Sequence, residues 1–135
     1  MKLETRKLLL DALEACRSVE KRCVGETFPK YTADRWFRRG VEREFEIIGE
    51  ALNRLNRFDS LTASRITELR RIVDFRNRLI QGYDAIDDQV VWGVIEKNLP
   101  ALRQELETLM KEAEGSGSSG GGRSFQIDSN GSTAY

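Results

Sequence analysis

The sequence has no histidine, only two cysteines and only two prolines in its 135 residues. Without histidine it lacks the side chain whose ordinary pKa best suits proton transfer near neutral pH. Cys16 and Cys23 would lie about 10 Å apart along one helix, at ~1.5 Å per residue, which is too far for a disulfide. Two cysteines without histidine also make a poor metal site. We therefore interpret both as small core residues and expect neither a metal nor a cofactor.

Long hydrophobic runs and a net charge are also absent. No stretch approaches the ~20 apolar residues of a membrane-spanning helix, and no apolar signal core follows Met1, so we expect a cytoplasmic protein. Lys plus Arg and Asp plus Glu both number 22, which by itself neither favours nor excludes a nucleic-acid partner. Residues 30–78 nevertheless carry 12 basic and 8 acidic side chains. The arginines that could form a phosphate-binding patch there are Arg35, Arg38, Arg39, Arg70, Arg71 and Arg78. The alternative is an ordinary solvated helical surface.

Four segments have the apolar spacing of amphipathic helices. The first spans about residues 2–23, and the second follows a cap at Thr32 or Asp34. The third begins near Thr62 and ends at Gln81, and the fourth starts near Asp87, with a kink or break expected at Pro100. The segment around Pro29 is expected to be a loop. This pattern predicts an all-α fold, an antiparallel, up-and-down four-helix bundle.

The chain divides at position 114. We assign residues 1–114 to the helical domain, whereas residues 115–135 read as a Gly/Ser-rich linker with a polar tail, or as a remnant of an expression vector. Trp36, Trp92, Phe37 and Phe45 fall on helical stripes, and we interpret them as core or dimer-interface residues.

The end of the third helix carries the most informative residues, in the sequence RNRLIQGY at positions 76–83. Arg76 has a core-facing spacing, three residues after Val73 and four before Ile80, which is costly unless its charge is paired or reaches water. Gly82 has the position of a residue just past a helix end. Tyr83 is then expected on the following loop.

This stretch resembles the signature of the HEPN nucleases, in particular the HepT-like toxins of the HepT/MntA type of toxin–antitoxin system. Arg76, Asn77 and Tyr83 match that signature, whereas Gln81 occupies the position of its histidine. The resemblance covers residues 3–112 approximately. It implies a homodimeric, metal-independent endoribonuclease in which each subunit contributes arginine and histidine to a shared cleft.

The chemistry of such a site is consistent with these residue types. An arginine can bind two phosphate oxygens and steady a crowded phosphate, so Arg76 is the candidate catalytic cation, with Asn77 beside it. Arg78, Arg70, Arg71 and Arg39 are candidates for weak RNA binding. The resemblance further implies that a minimal nucleotidyltransferase antitoxin, similar to MntA, attaches AMP to Tyr83 and so blocks the site.

Gln81 departs from the family pattern. An amide can hold a hydrogen bond where an imidazole would, but it cannot shuttle a proton. Loss of acid–base catalysis, worth ~10²–10⁴ in rate, predicts an inactive nuclease. Either a substitution was introduced to make a toxic enzyme safe, or this is a natural member that no longer cleaves. The alternative function is a non-catalytic RNA- or antitoxin-binding HEPN module, and a third possibility is a plain helical dimer.

Overall fold

The structure, a computed structural model, describes residues 1–81 and 87–117, and in these ranges the chain is helical with no strand. The helices are α1 (Leu3–Cys23), α2 (Phe28–Ala33), α3 (Arg35–Phe58), α4 (Ser60–Ala63), α5 (Leu69–Gln81), α6 (Asp88–Gly93) and α7 (Leu99–Gly117), with a π-helical segment (Val94–Asn98) between the last two. The predicted all-α class is therefore confirmed. The antiparallel order of four long helices stays a prediction.

One hydrophobic core joins the long helices, because α3 packs against both α1 and α5 while α7 packs against α1. The residues with helical apolar spacing on α3 are all buried, and so are most of those on α1. They are Phe37, Val41, Phe45, Ile48, Leu52 and Leu55 on α3, and Leu9, Leu13, Cys16 and Val19 on α1. Cys16 is buried, and this burial raises the pKa of its thiol to about 12, so it behaves as a small hydrophobe. Cys23 is half-buried, and both cysteines are free thiols.

Two aspartates cap helices where the sequence placed them. The carboxylate of Asp34 accepts a hydrogen bond from the Phe37 N–H at 3.1 Å at the start of α3. Asp87 accepts one from the Gln89 N–H at 3.0 Å at the start of α6. Each carboxylate satisfies an amide that has no partner within its own helix.

The loop expected around Pro29 is wrong, because α2 forms there. Thr27 caps this short helix by accepting a hydrogen bond from the Lys30 N–H at 3.3 Å. Pro29 lies in the first turn. Proline is tolerated there because its missing N–H would have had no intrahelical partner.

The third long helix begins later than predicted, at Leu69 rather than near Thr62. Asp59 instead caps the separate short helix α4 by accepting a hydrogen bond from the Thr62 N–H at 3.2 Å. The chain then turns, and the N–H and hydroxyl of Thr67 donate to the Glu105 carboxylate of α7 at 3.1 and 2.8 Å. Side-chain hydrogen bonds of this kind compete with continuation of a helix.

The break expected at Pro100 takes the form of the π-helical segment that precedes it. The Leu99 N–H donates to the Val94 carbonyl, five residues back, instead of to Ile95. Proline supplies no N–H, so a wider turn just before it is one way to absorb the lost hydrogen bond. Val94 and Ile95 are consecutive, and both are buried.

Two hydrophobic side chains on predicted helical stripes lie outside the core, which for Trp36 leaves the dimer interface as the remaining interpretation. Ile80 is 53% exposed near the end of α5, and Trp36 is 84% exposed near the start of α3. Trp92, Phe37 and Phe45 do pack in or against the core. No described helix covers Trp36, so helical spacing alone did not predict its environment.

Several expectations fall outside what the structure describes. Gly82 and Tyr83 fall between the two described ranges, and residues 118–135 of the predicted tail follow the second range. The division at 114 stays a prediction, and α7 continues to Gly117. Within residues 1–81 and 87–117, no helix combines the length and apolar character needed to cross a bilayer.

Asp59 provides a test of how the helices are tied together. Its carboxylate also accepts hydrogen bonds from the hydroxyls of the buried Thr5 and of Thr62, each at 2.9 Å. Desolvation tends to raise the pKa of Asp59, but the hydrogen bonds from Thr62 and Thr5 outweigh it and lower the pKa. Asp59→Ala should therefore lower the free energy of unfolding by about 1–3 kcal/mol at pH 7 in urea titrations.

The same contact predicts a pH dependence. Because the folded-state pKa is depressed, the stabilisation is complete above the ordinary carboxyl pKa, ~3.9, and is lost as pH falls through the folded value. The difference in stability between the parent and Asp59→Ala should thus shrink in acid. Asp11→Ala, which removes an exposed ion pair with Lys7, is the control and should cost less than about 0.5 kcal/mol. A difference for Asp59→Ala that is independent of pH from 7 to 3 would contradict this assignment.

Candidate functional site

Arg76 lies where α5 crosses α3, and its side chain runs directly over Gly49. A Cβ atom built on Gly49 would lie 2.2 Å from Cβ of Arg76, 2.5 Å from its Cγ and 3.2 Å from its Cδ. Such distances are far below van der Waals contact, so any larger residue at position 49 would displace the arginine or the helix. Gly49 therefore makes the room that the arginine stem occupies.

The guanidinium of Arg76 is fixed by polar side chains from both helices. One terminal nitrogen forms an ion pair with the Glu50 carboxylate, and the other donates to Oδ1 of Asn77 at 2.8 Å. Only 18% of the Arg76 side chain is exposed, compared with 44% for Glu50. Nε of Arg76 is buried and finds no hydrogen-bond partner among the described residues. The ion pair with Glu50 explains how an arginine is tolerated at this core-facing position.

A groove of about 990 Å³ lies beside this site, between α5 and the helical run from α6 through the π-helical segment. Its lining includes the side chain of Asn77 and four basic residues, Arg70, Arg71, Arg78 and Lys97. The π-helical segment contributes Lys97, so the irregular part of the long helix faces the groove. Short π-helical turns are frequent at functional sites.

The charge in the groove is predominantly basic but not wholly so. Glu68 accepts a hydrogen bond from Asn98 at 2.9 Å and lies 3.9 Å from Arg71, which partly neutralises that arginine. Asp74 is a second acidic residue of the lining. Arg70, Arg78 and Lys97 form no ion pair with any described residue, so their positive charges remain available to an anionic ligand.

The structure brings together some predicted site residues and separates others. Arg76 contacts Asn77, and Asn77 lines the same groove as Arg70, Arg71 and Arg78. Arg39 is exposed on α3 and does not line this groove. Gln81 is exposed at the end of α5. It is five residues beyond Arg76, about 140° around a helix at ~100° per residue. Tyr83 lies outside the described residues.

Gly49, Glu50 and Lys97 were not predicted as site residues from the sequence. Gly49 carried a usable signal, since a glycine inside an amphipathic helix is disfavoured and often marks a close approach of two elements. Glu50 carried none, because its partner lies 26 positions away and only the packing of α3 on α5 brings them together. In the described ranges, no group of three or more His, Cys, Asp or Glu residues is arranged to hold a metal ion.

The two glycines in α3 offer a matched test of the Arg76 site. Gly49→Ala should lower the free energy of unfolding by about 1–3 kcal/mol, because the new methyl group overlaps the Arg76 stem. Gly40→Ala is the control, since a Cβ there meets no atom within 4 Å. It should raise stability by about 0.5–1 kcal/mol through better helix propensity. Urea denaturation of both variants measures this, and equal effects at the two positions would contradict the packing described.

Comparison with known proteins assigns the sequence to a family. The family model described as "Ribonuclease HepT-like" matches residues 12–109. A protein of Thermococcus cleftensis named "probable ribonuclease HepT" is 30% identical over 112 residues, which is 82% of this chain and 100% of that protein. No solved structure matches the chain significantly.

Two further relatives are named as candidate RNases. One, from Methanocaldococcus jannaschii, is 26% identical over 114 residues, covering 84% of this chain and 93% of its own. Another, from Caldanaerobacter subterraneus, is 26% identical over 107 residues, covering 79% of this chain and 95% of its own. The family match spans the helices that carry Arg76, Gly49, Glu50 and the groove. The chain therefore belongs to the HepT-like ribonuclease family.

Proposed function

We propose that this protein is the toxin subunit of a HEPN toxin–antitoxin pair, a metal-independent endoribonuclease of the cytoplasm whose cleavage is silenced by Gln81. The observation that carries the proposal is Arg76, which is held between Gly49, Glu50 and Asn77 beside a basic groove. Membership of a ribonuclease family supports RNA as the ligand of that groove.

Arg76 is the group that would steady the phosphate. A guanidinium carries five N–H donors. The described contacts use one on each terminal nitrogen, so each retains a second hydrogen for a phosphate oxygen. Because Glu50 and Asn77 fix the plane of the group, little reorganisation is needed when charge develops on the phosphate. Glu50 partly neutralises Arg76 in the free protein, which tempers its attraction for anions.

Proton transfer is the step that this chain cannot perform in the usual way. Cleavage by the RNA 2′-hydroxyl needs a base to remove its proton and an acid to protonate the leaving 5′-oxygen. The Gln81 amide does neither near neutral pH. No histidine elsewhere in the sequence can replace it. The chain should therefore bind RNA weakly without cutting it.

A two-fold homodimer would complete the site. Arg76 and Gln81 point in different directions from α5, since ~140° separates them on an ideal helix. A second subunit could bring its own position 81 to the first subunit's arginine, so that two equivalent clefts share residues. The exposed Ile80 beside Gln81 supports an interface at this end of α5. Such a dimer would have twice the mass of the chain in light scattering.

Tyr83 is the proposed point of control. A minimal nucleotidyltransferase antitoxin would transfer AMP from ATP to its hydroxyl, releasing pyrophosphate. The added phosphate carries negative charge and the adenosine adds bulk, both close in sequence to Gln81. Either property would exclude an RNA strand from a cleft that depends on cationic side chains.

A second candidate function is a non-catalytic module that binds RNA or the antitoxin. Gln81 is the observation that favours this second function. The basic groove and the fixed Arg76 are both present, whereas the side chain that would carry the proton is absent. The two functions make different predictions for a histidine at position 81: it restores cleavage in a silenced ribonuclease but not in a binding module. One substitution therefore distinguishes them.

Gln81→His should switch on RNA cleavage in the presence of EDTA and leave a 2′,3′-cyclic phosphate, raising the rate by roughly 10²–10⁴. Gln81→Asn, which cannot titrate, is the matched control and should remain silent. Adding Arg76→Ala to Gln81→His should cost a further 10²–10³ or so in rate by removing charge from the transition state. Arg57→Ala, at an exposed arginine elsewhere on α3, should leave the rate unchanged.

Two results would contradict this proposal. Robust cleavage by the Gln81 protein would mean that another group transfers the proton. A folded, dimeric Gln81→His variant that still does not cut RNA would support the binding module instead. Gel analysis of a labelled single-stranded RNA, with circular dichroism to verify folding, distinguishes these cases.

Tyr83 gives an independent test. Incubation with the cognate nucleotidyltransferase, ATP and Mg²⁺ should add one AMP per modified tyrosine, detected by intact mass spectrometry. Tyr83→Phe lacks the acceptor hydroxyl and should gain no mass, whereas Tyr31→Phe removes a buried hydroxyl and should be modified as the parent is. Equal modification of Tyr83→Phe would show that the acceptor lies elsewhere.

A further inference from the structure

Trp36 is the largest hydrophobic side chain left uncovered in the described part of the chain, at 84% exposure. The other tryptophan, Trp92, is packed among aromatic rings, with centroids 5.3 Å from Tyr31 and 6.4 Å from Phe37. No such ring contact involves Trp36 in the described residues. An exposed indole gains little from its own chain and is typical of a surface that binds a partner.

The residue of α3 best placed to cover the Trp36 indole is a glycine. Side chains on a helix lean toward its N-terminus, so the residue four positions later would normally cover part of the indole. That residue is Gly40, and a Cβ there would meet nothing within 4 Å. Glycine is disfavoured relative to alanine at an exposed helical position, and it places no side chain beside the indole.

The charge next to Trp36 favours an anionic partner. Residues 35–43 contain four arginines and one glutamate. Arg35 and Arg39 form no ion pair with any described residue, and Arg43, though 3.3 Å from Glu46, remains 69% exposed. A second copy of the chain docking through the same patch about a two-fold axis would set these arginines against one another.

The patch also lies in line with Arg76. Trp36, Arg43 and Glu50 are seven residues apart, which brings each nearly back to the same face of α3. Glu50 holds Arg76 through its carboxylate. The indole is therefore about 21 Å along the helix from the Arg76 ion pair, at ~1.5 Å per residue. Arg39 and Arg43 are exposed between them, and Glu46 pairs with Arg43.

We propose that Trp36 is a stacking platform for an unpaired nucleobase of single-stranded RNA, with Arg39 and Arg43 contacting the phosphates that lead toward Arg76. Aromatic rings beside arginines are the usual means of holding single strands, because every base has a face that can stack. A duplex keeps its bases stacked internally and offers none to the indole. This inference rests on the proposed function and adds to it a preference for single strands.

The experiment uses the full chain carrying Trp92→Phe, so that Trp36 is the only tryptophan. A 12-nucleotide oligouridylate should quench its fluorescence on binding, whereas a 12-base-pair RNA duplex should not. In anisotropy of a labelled oligouridylate, which does not need the indole, Trp36→Ala should weaken binding of the single strand roughly 5- to 100-fold, as expected for loss of one stacked base, with Trp36→Phe retaining most of it. Leu61→Ala is the matched control, since Leu61 is 83% exposed on α4 and should have no effect.

The outcomes separate this inference from the proposed function. If Gln81→His cleaves RNA but Trp36→Ala leaves the KM for a single strand unchanged, the platform is wrong and the ribonuclease proposal stands. If the single strand fails to bind and Gln81→His fails to cleave, both fall together. Equal quenching of Trp36 fluorescence by the duplex would also overturn the stacking platform. A second copy of the chain would instead cover the patch if two results were found together. Trp36 fluorescence would shift to the blue as protein concentration rises without RNA, and Trp36→Ala would abolish the dimer. That outcome would overturn the stacking platform.

Discussion

The close contact between Gly49 and Arg76 is the constraint on which the described site depends. Burying the stem of an arginine at a helix crossing requires space and a counter-charge, and the two adjacent residues Gly49 and Glu50 supply them. Gly49 and Glu50 lie on α3, whereas Arg76 lies on α5. The packing of these two helices therefore determines the orientation of the guanidinium. A change in helix spacing would move the charge as well as the core.

Arg76 also connects two surfaces of the domain. Its partner Asn77 lines the basic groove between α5 and the π-helical segment. Its partner Glu50 lines a smaller cleft of about 480 Å³ between α1 and α3. The guanidinium is therefore shared between the two surfaces. Arg76 itself lines neither the groove nor the cleft, so each surface meets its charge through one of these two partners.

The sequence predicted the helices well where packing follows local spacing. The α3 stripe from Phe37 to Leu55 and the caps at Asp34 and Asp87 need only periodicity and a carboxylate at the right position. It failed where a distant partner decides, as at Thr67, whose bond to Glu105 delays the start of α5. It also left Trp36 open between core and dimer interface, because spacing identifies a stripe without showing whether any helix covers it.

The candidate site was also predictable only where its residues are close together in the sequence. The signature residues are adjacent in sequence, so Arg76, Asn77 and the nearby arginines could be selected without a structure. The residues that hold Arg76 come from α3, and only the relative positions of two helices bring them within reach. Gly49 was visible as an anomaly in a helix, but Glu50 looked like any surface carboxylate.

The π-helical turn before Pro100 behaves as one extra residue accommodated within a long helix. Deleting a residue there would restore regular hydrogen bonding, but it would rotate α6 by about 100° relative to α7. Val91 would then leave the core, and Val90 and Gly93 would leave the groove wall that they now line. The number of residues in this turn thus fixes the rotation of α6 relative to α7. Because α6 contributes to both the core and the basic groove, an insertion or deletion here would alter the two surfaces together.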